Sequence, residues 1–247
     1  MGLAIVALVL LTWGWVVREA AAMARLTGHA RMAGMTMPDL TPWSPGRLPW
    51  LAAMWAVMMA AMMLPGAAPL LLLYASFRRR RQATASPIPP TAVFLLGYLA
   101  VWGAFSAGAA LVQWWLHRVA VLSPGMQLAS PRLAGILLMV AGIYQWLPVK
   151  HACLAHCMSP LGFVTAHWRE GTLGAFRMGL AHGGYCLGCC WLLMVLLFAG
   201  GVMNLAWVAG LALLTLGERV LPWGARIARM AGIVLVGWGG WLTVGVR

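Results

Sequence analysis

The chain has 247 residues, 63% of them hydrophobic and 9% charged, with a mean hydropathy of +0.86. Soluble domains run near about 45–50% apolar and about 25% charged, so this composition excludes a soluble globule and makes lipid the solvent. The formal net charge of +13 comes from 17 Lys and Arg against four acids, Glu19, Asp39, Glu170 and Glu218, too few for a paired-carboxylate enzyme or a Ca²⁺ or Mg²⁺ cage.

Apolar runs fall at about 1–17, 50–77, 92–117, 132–148, 175–199, 202–217 and 227–245. About 20 apolar residues cross a bilayer as a helix, and backbone satisfaction in lipid selects helices. The expectation is an all-α bundle of six to seven spans. It forms one integral membrane domain over 1–247, with a core at 50–245 and an extra N-terminal span at 1–17. Ala20-Ala21-Ala22 after that first run suggests a cleavable signal, but the start lacks a basic segment and Arg18 and Glu19 intervene. An uncleaved span is expected.

Most basic residues flank the apolar runs instead of lining a polar face. Anionic headgroups and the positive-inside rule ask for that, and nucleic-acid binding does not. Arg78-Arg79-Arg80-Arg81 is the strongest retention signal. With that connection in the cytoplasm, alternation adds Lys150, Arg169, Arg177, Arg219, Arg226 and Arg229 to the same side. Arg18, Arg25, Arg31, Arg47, Arg118, Arg132 and Arg247 fall outside, ten against seven. The expected location is a bacterial inner membrane, with the N-terminus cytoplasmic. No internal repeat supports an inverted-repeat transporter.

Methionine is the first ligand signal along the chain. Met54, Met58 and Met62 stand at i, i+4, i+8, with Met59 and Met63 on the adjoining stripe before Leu64-Pro65-Gly66. A short outer loop carries His29, Met32, Met35 and Met37. Thioethers favour Cu(I) over harder metals, although a Met stripe alone is commonly packing.

The stronger signal lies between Lys150 and Cys190, which contains all five cysteines and His151, His156, His167 and His182. At about 100° per residue, Cys186 and Cys189 lie about 40° and −20° from His182 on one helix face, and Cys190 about 80° away. From His182 to Cys189 is about 10 Å of rise, too far for one ion with bonds of about 2.0–2.3 Å. The shell is therefore completed from elsewhere. In a helical 151–157 segment, Cys153 with Cys157 (i,i+4) and Cys153 with His156 (i,i+3) form chelating pairs. That segment is bracketed by Pro148 and Ser159-Pro160 and is expected at the cytoplasmic interface.

Competing readings weigh differently. Membrane cysteine is commonly a small packing residue, and Cys186-x-x-Cys189 has a redox spacing that a regular helix bridges poorly. Zinc needs two thiolates and a closed tetrahedron, which four cysteines can supply. Haem wants histidines at matched depth on separate spans, and none stand out. Copper is preferred because Cu(I) with one thiolate and neutral His or Met is neutral in hydrocarbon.

The run Lys150-His151-x-Cys153, Cys157-x-Ser159-Pro160-Leu161, His167-Trp168-Arg169-x-Gly171, Met178-Gly179-x-x-His182-Gly183-x-Tyr185-Cys186-x-Gly188-Cys189-Cys190-Trp191 resembles a bacterial family of metal-binding, copper-handling integral membrane proteins. So do Gly201-Val202-Met203-Asn204-Leu205, Glu218-x-x-x-Pro222, and Met-Met-x-Ala-Met-Met-x-Pro at Met58 to Pro65. The resemblance spans roughly Leu51 to Leu242. It implies metal-binding roles for Met58, Met59, Met62, Met63, His151, Cys153, Cys157, His167, His182, Cys186, Cys189 and Cys190; His156 is a candidate from its spacing alone.

The expectation is a copper-binding membrane protein that moves Cu(I), or delivers it as a copper chaperone to an extracytoplasmic copper enzyme or to other membrane subunits. A membrane-embedded copper oxidoreductase, or an accessory subunit of one, is the alternative.

Overall fold

The computed structural model describes residues 2–32, 44–81, 88–123 and 126–245. Ten helices follow in order among them: α1 (Gly2–Met32), α2 (Leu48–Arg81), α3 (Ile88–Arg118), α4 (Pro131–Tyr144), α5 (Pro148–Met158), α6 (Pro160–His167), α7 (Gly171–Val195), α8 (Leu197–Gly200), α9 (Leu205–Val220) and α10 (Gly224–Val244). Extended pairing among the described residues is limited to an isolated bridge between Leu122 and Leu128.

Proline and glycine punctuate the chain as their backbone limits require. Pro131, Pro148 and Pro160 each open a helix, where a missing N–H costs nothing. Ser130 caps α4 by accepting from Leu133 N, and Asn204 caps α9 by accepting from Trp207 N. Inside α2, Pro65 leaves the Ala61 carbonyl without its usual i+4 donor. Trp13 Nε1 of α1 donates to that carbonyl at 2.9 Å, so the proline that interrupts α2 also fixes α1 against it.

Helix α2 packs against α1, α3, α6 and α9, and Met54, Met58, Met59, Met62 and Met63 are all buried. Helices α3 and α7 touch at backbone distance. A Cβ on Gly179 would fall 2.0 Å from the Phe94 carbonyl oxygen, and one on Gly97 2.3 Å from that of Phe176. Small residues at a membrane-helix seam permit this approach. Leu3, Leu10, Leu213, Trp241 and Val244 are among the apolar side chains that face outward, as a bundle solvated by lipid requires.

The all-α expectation holds. Among the described residues, five helices are long and apolar enough to cross a membrane, or up to six if α4 and α5, bent by 66°, form one broken span. The run at 202–217 becomes α9 of 16 residues, about 24 Å long at 1.5 Å per residue and short of the roughly 30 Å hydrocarbon core. Glu19, Arg47, Met126 and Met203 line one cavity.

Helix α5 packs along α7, carrying Leu154 and Cys157 into the core. One expectation needs correction. Arg78, Lys150 and Arg219, counted among loop charges, are buried. Removing those three from the ten inside leaves seven against seven.

Candidate soft-metal site

The spacing read from the sequence puts His182, Cys186, Cys189 and Cys190 on the buried face of α7. The Cys189 and Cys190 sulfurs lie 3.1 and 3.0 Å from the Cys186 carbonyl oxygen, back along the helix as side chains at i+3 and i+4 lean. All five cysteines are free thiols.

Three other helices close on this face. From α5, Cys157 sits beside Cys186 and Cys189, while Cys153 Sγ fills the notch over Gly188, 2.8 Å from where a Cβ would stand. From α3, Tyr98 Oη lies 3.0 Å from Cys186 Sγ and donates to the Met63 carbonyl at 3.3 Å. From α2, Met63 Sδ is 3.9 Å from Cys190 Sγ. Cys157, Cys186, Cys189, Cys190 and Met63 thus converge within the bundle.

His182 is 4% exposed. Its ring is wedged against Tyr98, with centroids 5.7 Å apart, and against Phe163 at 5.2 Å. Nδ1 has no hydrogen-bond partner. A buried imidazole nitrogen with no partner is costly and is the right chemistry for a soft metal.

The remaining predicted ligands lie elsewhere. His156 stacks on Tyr185 with centroids 4.1 Å apart and lies 6.2 Å from His167, which stacks on Phe163 at 4.6 Å. Both histidines line an open cleft with Ser159 and Gly162. His151, half-buried in the first turn of α5, is about 9 Å of helical rise from Cys157. Met54 and Met58 line a narrow cavity with Trp15, Glu19 and Met203, and Met59 and Met62 are core residues. The outer His-Met loop falls outside the described residues, apart from the backbone of α1 to Met32.

Sequence reasoning missed three charged groups. Arg219 of α9 is buried, with Nη2 donating toward Cys190 Sγ at 2.9 Å and Met63 Sδ at 3.3 Å, and with Cys189 Sγ 3.8 Å away. Lys150 Nζ meets Glu218 Oε2 at 2.7 Å, both side chains being excluded from solvent. The only hint in the sequence was the presence of Lys150 and Glu218 in the family-like pattern.

Among the described residues, no three His, Cys, Asp or Glu side chains stand together in a way that could hold an ion. The donor that accompanies Cys189 and Cys190 is a thioether, which suits a soft monovalent ion better than a hard divalent one.

Thiols, a thioether and an imidazole are thus gathered inside an apolar helical bundle. Residues 52–242 match the family model PpoB2, described as a copper chaperone, and the chain belongs to that family. No curated protein and no solved structure matches the chain.

Proposed function

We propose that the protein holds Cu(I) within the bundle on sulfur donors of α2 and α7, with Cys157 of α5 and His182 of α7 close by, and hands the ion to an extracytoplasmic copper protein. The observation that carries this reading is the meeting of Cys189, Cys190 and Met63 around one point. Membership of a copper chaperone family supports copper as the cargo. Sulfur ligands discriminate in its favour, and a thiolate in hydrocarbon needs a cation to cancel its charge.

The orientation follows from the same reading. The arginine run at Arg78–Arg81 lies in the cytoplasm, and the end holding Glu19, Arg47, Met126 and Met203 faces the partner. The buried Met54 and Met58 connect that end to Met63 along α2, offering thioethers on the way out.

Metal analysis of the purified chain tests the proposal. After Cu(I) loading under reducing conditions and desalting, the wild type retains copper. A Cys186→Ser, Cys189→Ser, Cys190→Ser variant of equal helicity retains little. Equal copper in both overturns the assignment.

A further inference from the structure

Arg219 stands where a copper ion would have to be. With metal–sulfur bonds of about 2.3 Å and a trigonal angle of about 120°, two sulfurs bound to one ion lie about 4.0 Å apart. Cys190 Sγ and Met63 Sδ are 3.9 Å apart, so this pair is already spaced for one ion. Arg219 Nη2 sits against the same two atoms at 2.9 and 3.3 Å. Closing that triangle with bonds of about 2.3 Å leaves about 1.2 Å between the nitrogen and an ion on its side. The two cannot occupy that side together.

We infer that Arg219 is a tethered placeholder cation, which occupies the Cys189–Cys190–Met63 site until Cu(I) displaces it and which re-forms its contacts as the ion leaves. The inference rests on the copper reading above and adds to it a reason for exchange.

Several features fit a placeholder. A guanidinium stays charged at all relevant pH, and taking it out of water is expensive unless it is compensated. Here the atoms facing its Nη2 are the sulfurs that would bind the ion. Gly66, just after Pro65, makes room for the arginine: a Cβ there would meet its Cδ and Nη1 at 3.2 Å.

The exchange balances simply. Cu(I) bonds to Cys190 Sγ as the S–H bond breaks and its proton passes to bulk water, Met63 donates a lone pair, and no electron moves. Release takes the reverse course, the sulfur regaining a proton and the guanidinium its place. A side chain that must vacate the site lowers apparent affinity by the fraction of time the site is open, which favours delivery over storage.

The test is competition for Cu(I) between the full-length chain in nanodiscs and a chromophoric Cu(I) chelator, using wild type, Arg219→Leu and Arg219→Lys, neither of which adds a sulfur ligand. Displacement predicts the same stoichiometry in all three, about tenfold or tighter binding for Arg219→Leu, and an intermediate gain for Arg219→Lys. A fixed counter-ion predicts the opposite sign, because a centre with both Cys189 and Cys190 ionised carries a net negative charge that the leucine variant leaves uncompensated. Weaker or equal binding in Arg219→Leu overturns the inference while leaving the copper site standing. If that variant misfolds, Arg219→Lys decides, since it keeps the charge on a shorter reach; unchanged affinity there overturns it. Absence of copper from wild type as well brings down the functional reading itself.

Discussion

Lys150 Nζ lies 2.7 Å from Glu218 Oε2, and neither side chain reaches solvent. The pair ties the first turn of α5 to the last turn of α9, and so joins the helix bearing Cys157 to the helix bearing Arg219. Breaking a buried pair from one side leaves an uncompensated charge and costs about 3–5 kcal/mol. Lys150→Met is therefore expected to lower the unfolding midpoint in mild detergent strongly. Lys150→Met with Glu218→Met recovers most of it. Thermal denaturation followed by circular dichroism reads both, and a double variant no better than the single one contradicts the pairing.

Tyr98 gives a subtler expectation. Its hydroxyl contacts Cys186 Sγ and donates to the Met63 carbonyl, linking a donor of α7 to the α2 stripe. Tyr98→Phe keeps the ring against His182 and removes a hydrogen bond of about 0.5–1.5 kcal/mol. Copper affinity is expected to change by about threefold to tenfold with stability nearly intact, as measured by chelator competition beside a melting curve.

The α3–α7 seam is expected to tolerate no added volume. At Gly179 a methyl group meets the Phe94 carbonyl oxygen at 2.0 Å, backbone that cannot swing aside. Gly179→Ala is expected to destabilise by at least about 1–3 kcal/mol and to reduce copper retention by parting Tyr98 from Cys186. Gly184→Ala on the same helix has nothing within 4 Å of the added carbon and is the matched control.

The histidines separate by position. His182→Ala removes the buried imidazole one turn from Cys186 and is expected to weaken Cu(I) binding about tenfold or more. His156→Ala, on the rim stacked against Tyr185, is expected to leave affinity unchanged. Chelator competition on both variants checks the distinction.

The legible part of the site was whatever repeats along one helix. The spacing of His182, Cys186, Cys189 and Cys190 fixes their common face wherever α7 packs, and Pro148 and Pro160 bracket α5 where they stand in the sequence. What pairs across helices was not legible. Arg219 and Lys150 look like flanking charges because each follows or precedes an apolar run, and only packing shows that both turn inward. Tyr98 carried no signal at all, being one aromatic in a greasy span. The missing seventh span has a local cause: α9, capped by Asn204 and ended before Pro222, is too short to cross unaided.

The glycine seam also sets which parts of this bundle can yield. Where α3 and α7 meet backbone to backbone at Gly97 and Gly179, sliding one helix along the other drives carbonyl into Cα, so the wall carrying Tyr98, Cys186 and Cys190 is the stiff side of the site. The facing side is made of long side chains, Met63 and Arg219 among them, whose rotamers can change while the backbone stays in place.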